Sequence, residues 1–423
     1  MRILMLAQFY LPTVGGEERH THDISVALVE RGHEVAVATL WHEGLPEFEV
    51  LQGVRIYRIR GSMQRLGMLF SEKVRQHAPP FPDPEALLAL REVIRKERPD
   101  IVHAHNWLIH SFLPLKTWSK AKLVLTLHDT SLVCAQKRYM YHEEVCSGPA
   151  LRKCLECSSL HYGKVKGVTT ALANGIGRRI EYRAVDMFLP VSQAIADVAQ
   201  LDAHSAPYKV IPNFVPDNIT TLPGSTHPLL EQLPQGDYML FVGDVRRDKG
   251  VEVLFRAYAE LETNVPLVII GRPINNFETP VPPNVHIFQS WPHDAVMGAW
   301  SRCTIALAPS LWLEAFGIVA IEAMAMGRPL IASRIGGLSD IVADEQTGLL
   351  VPPGDVQALR AALQRLLDSP DLRERMGNAA RERVSLFKAS TVVPQIEQVY
   401  RTLLDQPLAT PVEQPVKELV DAP

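Results

Sequence analysis

The chain has 423 residues, 47% of them hydrophobic and 21% charged, with a formal net charge of −4. That length supports two or three domains with real cores, and the balance is ordinary for a globular protein. The charge gives no basis for binding nucleic acid or another polyanion, and no apolar run has the length of a membrane span.

Residues 2–7 form an apolar run that reads as a buried strand. Gln8, Phe9 and Tyr10 follow without a small-residue cleavage site, so a strand fits better than a signal peptide, and a cytoplasmic location is expected. Pro12, Gly15 and Gly16 make a loop, and Glu17 and Glu18 open a helix running to Gly32, where acidic side chains suit the helix dipole. Further strands are expected at 33–40, 54–59, 100–104 and 122–127, with a helix at 84–98 stopped by Pro99. Strands alternating with helices indicate an α/β, doubly wound parallel sheet, which binds ligands at the carboxyl ends of its strands. A last strand at 186–191 and a helix at 192–201 complete the first domain, 1–205. Residues 206–236 include a stretch rich in Pro, Thr, Gly and Ser and read as a linker.

The second domain, 237–388, repeats the pattern. Strands are expected at 238–242, 267–271, 284–288 and 304–308, and helices at 251–261 and 293–301. A strand and turn at 347–355 lead into a helix ending at 367, and amphipathic helices follow at 372–386 and 391–404. Residues 389–405 are assigned to a C-terminal helix, and 406–423, with four Pro, to a disordered tail.

Three groups of residues stand out. The stretch 317–326 is a short, nearly all-apolar helix, with Gly327 as C-cap and Pro329 beyond it. Glu314 precedes it and Glu322 lies inside it; a buried Glu is costly unless hydrogen-bonded or paired. The amides of Phe316, Gly317, Ile318 and Val319 at its N-terminus offer a phosphate site, with the two carboxylates beside it to accept hydroxyl hydrogen bonds. Among His103, His105 and His128, which lie at strand ends, His103 and His105 share a face of an extended segment. No third metal ligand accompanies those two, so structural packing is the better reading for them. Finally, Cys134, Cys146, Cys154 and Cys157 cluster, the last two as C-x2-C. A structural zinc site is expected there, with an iron–sulfur cluster, a redox disulfide or four free thiols as alternatives. Cys303 precedes a strand and reads as a core thiol.

Glu314 and Glu322, spaced Glu-x7-Glu, are followed by Gly336-Gly337-Leu338-Ser339-Asp340-Ile341-Val342. This resembles the GT4-like retaining glycosyltransferases, the glycosyl transferases group 1, and the resemblance extends to about Leu404. It implies a GT-B fold, two Rossmann-like domains facing a central cleft, with the C-terminal helix crossing back to the first. It further implies that Glu314 contacts the donor sugar, Glu322 the nucleotide ribose, and the amides near Gly317 the diphosphate. A His after the strand at 122–127 reaches the reaction centre in that family, a role that falls to His128. Gly15 and Gly16 match a glycine pair that approaches a donor phosphate or acceptor, and Arg272 lies in a turn near the base.

One departure matters. The family usually has Gly-Arg after the first strand of the second domain and a Lys five residues after that Arg, both facing the diphosphate. Lys249 stands at the lysine's place, but Gly243 is followed by Asp244. Arg246 or Arg247 is then the candidate guanidinium. The expected activity is transfer of a sugar from a nucleoside diphosphate sugar to a hydroxyl of a glycan, lipid-linked or small-molecule acceptor, needing no catalytic cofactor. Asp244 keeps open a catalytically weak binding or regulatory subunit, and a sugar-nucleotide epimerase is a further alternative. Residues 61–82 and the basic stretch 152–183 fall in the acceptor half. Both are compatible with an anionic or lipid-linked acceptor, with peripheral contact to an anionic membrane, or with a solvated face.

Overall fold

In the computed structural model, which describes residues 1–12, 15–62, 78–142, 144–221, 227–272 and 279–405, the chain divides into two units. The first comprises Met1–Tyr141, Cys146–Pro212 and the C-terminal segment from Val392; the second is built mainly from Asn213–Thr391. Most of the segment 61–82 and the tail from 406 lie outside the described residues.

The first unit is built on strands β1 (Arg2–Leu6), β2 (Glu34–Leu40), β3 (Phe48–Leu51), β4 (Val54–Ile59), β5 (Ile101–Ala104), β6 (Lys122–Leu127) and β7 (Met187–Pro190). They form a seven-stranded sheet in the order β3-β4-β2-β1-β5-β6-β7. All neighbours are parallel except the edge pair β3–β4. The sequence reading omitted β3. It is short and half-exposed, and its turn uses Gln52 (φ 49°) and Gly53 (φ 80°), a two-residue hairpin with positive φ at both positions but not the usual Asn-Gly signal. Leu4, Met5 and Leu6 are fully buried, as a strand covered on both faces requires. Helix α1 (Gly16–Glu30) follows β1, and α2 (Pro84–Glu97) is capped by Asp83, whose carboxylate accepts from the amides of Glu85 and Ala86. Two helices that sequence patterning did not resolve, α3 (Leu151–Tyr162) and α4 (Lys164–Ala184), separate β6 from β7. A short helix, α5 (Gln193–Val198), follows β7.

The division between units falls at Pro212, beyond the expected boundary at 205. Residues 208–211 run alongside β7: Lys209 N donates to Phe188 O at 3.0 Å and Ile211 N to Pro190 O at 3.0 Å. The stretch expected to be linker also contains structure, because Leu230 and Leu233 are buried around a 3-10 turn at Pro228–Gln232.

The second unit contains β8 (Met239–Val242), β9 (Leu267–Ile270), β10 (Val285–Phe288), β11 (Ile305–Ala308), β12 (Leu330–Ser333) and β13 (Gly348–Val351). They form an all-parallel six-stranded sheet, β10-β9-β8-β11-β12-β13. In chain order this is 3-2-1-4-5-6, the doubly wound arrangement whose switch point lies between the first and fourth strands. Helices α6 (Val251–Ala259), α7 (His293–Arg302), α8 (Ile318–Ala325), α9 (Val356–Asp368) and α10 (Pro370–Arg383) accompany it. The last helix, α11 (Ala389–Asp405), enters the first unit from Val392 onward. There Glu397 bonds Arg31 Nε at 2.5 Å and Arg401 Nη2 at 2.6 Å, and Tyr400 Oη lies 2.6 Å from His103 Nδ1. No described helix is long and apolar enough to cross a membrane.

Candidate functional site

In the second unit, the loops leaving β8 and β11 meet at the switch point, where a doubly wound sheet binds ligands. The loop after β8 carries Asp244, Arg246, Arg247, Asp248 and Lys249; the loop after β11 carries Ser310, Trp312 and Glu314. They are joined through Asp248, whose carbonyl accepts from Leu311 N at 2.9 Å and from Trp312 N at 3.2 Å. Lys249 Nζ pairs with Glu314 Oε1, which also accepts from Ser310 Oγ at 3.0 Å. Arg246 is held side-on by Asp248, with Nε donating to Oδ1 at 2.9 Å and Nη2 to Oδ2. The hydrogen bond to Asp248 raises the Arg246 pKa, fixing the guanidinium as charged. Both cations sit over the indole of Trp312, Lys249 Nζ at 4.8 Å and Arg246 Cζ at 5.7 Å from its centre.

These contacts bear on the departure at position 244. Arg246, half-buried and oriented by a fork, stands beside Lys249, whereas Arg247 is exposed. Asp244 faces Arg272 at 3.8 Å on the surface. The local fold therefore brings Arg246 next to Lys249 and draws Arg272 toward Asp244.

Helix α8 begins directly after this loop, and among the described residues no side chain caps it, so its first amides are open to a ligand or water. Gly317 precedes it with φ 114°, a conformation only glycine adopts freely, and a Cβ there would lie 2.8 Å from Leu338 Cδ2. The Gly336-Gly337 turn packs directly beneath. Gly337 N donates to Glu314 O at 2.8 Å, and a Cβ on Gly336 would meet Glu314 O at 2.1 Å. The glycine motif of the sequence thus presses on the backbone that carries Glu314. Phe316 turns its ring inward, 3% exposed and edge-on to Phe387 at 6.0 Å, so only its backbone is placed for a ligand. Glu322, 6% exposed, is paired with His293 Nε2 at 2.7 Å, a partner that sequence reasoning missed. His293 opens α7, and nothing in its own neighbourhood of the sequence announces the pairing. Ser310, Asp248 and Trp312 were missed for the same reason: their part depends on two loops meeting.

The remaining predicted residues belong to the first unit. His128, at the end of β6, bonds through Nε2 to His105 Nδ1 at 3.0 Å and packs edge-on against His20 of α1, ring centres 4.9 Å apart. Gly15 is the extended N-cap of α1 and Gly16 its first residue. Glu17, next along, pairs with Asn106 Nδ2, and Asn106 Oδ1 accepts from Gln8 N at 3.1 Å. Burial, reinforced by Asp129, pushes the Glu17 carboxyl up to about 8. Burial also keeps His20 and His105 neutral, far below the ordinary histidine range, and holds His103 down at about 3. His103 is fully satisfied, with Thr126 Oγ1 at 2.7 Å and Tyr400 Oη at 2.6 Å. This matches the structural role expected for His103; His105 instead touches His128 directly.

The zinc expectation concerns four thiols that the fold gathers in one place. Cys134, Cys146, Cys154 and Cys157 do line one small cavity, with Tyr139 and Met140. Yet among the described residues no group of three or more His, Cys, Asp or Glu side chains is arranged to hold a metal ion. The thiols are unpaired and turn to other partners: Gln136 Nε2 donates to Cys157 Sγ at 3.1 Å, and Cys146 Sγ donates to Gly148 O at 3.5 Å. Burial, then the neighbouring cysteines, push the Cys157 thiol up to about 11.

Two doubly wound sheets, with a charged and glycine-supported loop cluster at the switch point of the second, define an α/β protein of GT-B type. Comparison with known proteins makes the class specific. Residues 14–218 match the model of Glycosyltransferase Family 4 and residues 231–383 that of Glycosyl transferases group 1. The chain belongs to the GT4-type glycosyltransferases of GT-B fold. It is 28% identical to a glycogen synthase of Mycobacterium tuberculosis, covering 95% of this chain and 94% of that one. It is also 28% identical to a phosphatidyl-myo-inositol mannosyltransferase of Mycobacterium leprae, covering 95% and 97%. Among solved structures, sucrose-phosphate synthase of Thermosynechococcus elongatus superposes with a TM-score of 0.69 at 22% identity, covering 95% of this chain and 99% of that one. Anabaena HepE in complex with UDP-glucose does so with 0.65 at 18% identity, covering 95% and 99%.

Proposed function

We propose that this glycosyltransferase takes its sugar from a nucleoside diphosphate sugar and transfers it to an acceptor hydroxyl with retention of anomeric configuration, without a divalent metal. The observation that carries the reading is the pairing of two fixed cations, Lys249 and Arg246, beside the uncapped N-terminus of α8. Breaking the bond between sugar and diphosphate leaves negative charge on the departing phosphate. Preorganised cations and helix amides stabilise that charge as it develops, which is where electrostatic catalysis is strongest. Arg246 is held rigid by Asp248, so it meets the phosphate without reorganising. Lys249 is held by Glu314 until a diphosphate competes for it, which frees the carboxylate to accept hydrogen bonds from sugar hydroxyls. Glu322, oriented by His293, is the acceptor proposed for the ribose hydroxyls. His128, steadied by His105, is the group proposed for the donor sugar in the first unit. HepE, whose structure holds UDP-glucose, shares this fold and is consistent with such a donor.

The test is incubation with UDP-, ADP- and GDP-sugars, each read by thermal shift and by mass spectrometry of the products. NMR of the new linkage gives the anomeric outcome. A donor that raises the melting temperature and is consumed without added metal supports the reading. No response to any nucleotide sugar contradicts it.

A further inference from the structure

Helix α4 is inside out. Its inward face consists of small and polar residues: Gly167, Thr170, Ala171, Asn174, Gly177 and Glu181. Its outward face carries Val165 (82% exposed), Val168, Leu172, Ile176 (61%) and Ile180. At 100° per residue these five aliphatics fall within one stripe, about 22 Å long at 1.5 Å per residue. Leu160, at the end of α3 next to the start of this stripe, is 72% exposed. The helix cannot roll to hide the stripe, because close contacts fix its inward face. A Cβ on Gly167 would lie 2.4 Å from Ser158 O, and one on Gly177 2.6 Å from His110 Cε1. Asn174 Nδ2 donates to Ser131 O at 2.7 Å, and Glu181 Oε1 lies 3.1 Å from His110 Nε2.

Charge frames the stripe. Lys164 and Lys166 flank its start, Arg179 and Arg183 its end, and all four are exposed. The helix contains one acid, Glu181, and it is buried on the opposite side. We propose that α4 is a membrane-docking face, laying its aliphatic stripe into an anionic lipid surface while the four cations meet the head groups. Aliphatic side chains between cations on one helix face are the composition that partitions into the interface of anionic bilayers. A second copy fits poorly. Two such helices paired antiparallel about a central two-fold would set the cations at one end of each against those at the other end of its mate, with no acid to offset them. The area is also small for a protein partner: roughly 22 Å by 10 Å, against about 800 Å² per side in a stable complex. This inference rests on α4 alone and stands or falls independently of the donor site.

The test is co-sedimentation of the full chain with phosphatidylcholine vesicles, with and without phosphatidylglycerol. The proposal expects binding to the anionic vesicles only, weakened by salt. Ile176→Glu together with Leu172→Glu should abolish it, and Lys164→Glu with Lys166→Glu should lower it about tenfold or more. None of these substitutions touches the residues proposed for catalysis, so transfer to a water-soluble acceptor should be unchanged. The charge pair serves as the second variant should the stripe pair fail to fold. Binding to neither vesicle, equal binding to both, or binding unaltered in both variants overturns the proposal. So does a dimer or an acidic protein complex in solution that the stripe variant dissolves.

Discussion

Replacing Gly336 with Ala tests whether the glycine turn beneath Glu314 positions the site. The new Cβ would lie 2.1 Å from Glu314 O and 2.9 Å from Glu314 N. A carbon–oxygen contact needs about 3.3 Å, so the backbone carrying Glu314 must shift by about 1 Å. A misplacement of that size in a catalytic constellation costs roughly 100-fold, about 2.7 kcal/mol. Residue 336 also has φ +58°, which costs an alanine roughly 1 kcal/mol and lowers the melting temperature by a few degrees. Gly354→Ala separates the two effects. Gly354 has φ +80°, yet its Cβ would meet only Leu311 Cδ2 at 3.6 Å, an ordinary contact. Both variants should lose the few degrees that positive φ costs, Gly336→Ala more because of its clash; only Gly336→Ala should lose two orders of magnitude in kcat/KM with the best donor. Activity within twofold of wild type in Gly336→Ala, at unchanged melting temperature, would refute the positioning argument.

Arg246→Ala should cost about 100-fold to 1,000-fold in turnover while Arg247→Ala costs little; Arg246→Lys should recover only part, because the side-on contact with Asp248 needs a planar fork. Stability should fall as pH drops. His103 is neutral in the fold down to about 3, whereas the unfolded chain takes a proton near 6.5, so stability is lost progressively below 6.5. At pH 5 this one histidine accounts for about 2 kcal/mol, and urea unfolding of His103→Gln should show a correspondingly flatter loss between pH 7 and 5. Burial works to raise the pKa of Glu397, but its bonds from Arg401 and Arg31 override that and hold it at about 2. The stability it contributes is present above the ordinary carboxyl range and lost as pH falls toward 2, so Glu397→Gln should lower the melting temperature at pH 7 more than at pH 3.

The strands were legible because buried parallel strands read as continuous apolar runs: the expected 54–59 and 122–127 are β4 and β6. The helix 317–326 was legible from its glycine, its alanines and Gly327. Helix α4 was not, because its hydrophobic residues face outward and its buried ones are small or polar, which inverts the periodicity that marks a core-facing helix. In the site, Glu314 and Glu322 were visible as charges in an apolar, glycine-flanked setting, and Lys249 only through the family resemblance. Their partners were not: Ser310, Asp248, Trp312 and His293 act through contacts made when separate loops converge, and no local pattern encodes that. The cysteines were legible as a cluster, and the fold brings all four to one cavity. What the spacing did not show is that two of them ride on α3, where helix geometry and hydrogen bonds such as Gln136 to Cys157 set the directions of the thiols.

The central claim is that Lys249, Arg246 and the start of α8 hold a diphosphate. The most direct measurement is calorimetric titration of UDP, ADP and GDP into the wild type, Lys249→Ala and Arg246→Ala, without divalent metal. The account predicts that at least one nucleoside diphosphate binds the wild type and that each substitution weakens it about tenfold or more, as loss of a charge-assisted contact should. Binding of equal strength in all three proteins, or no binding in the wild type, would contradict it.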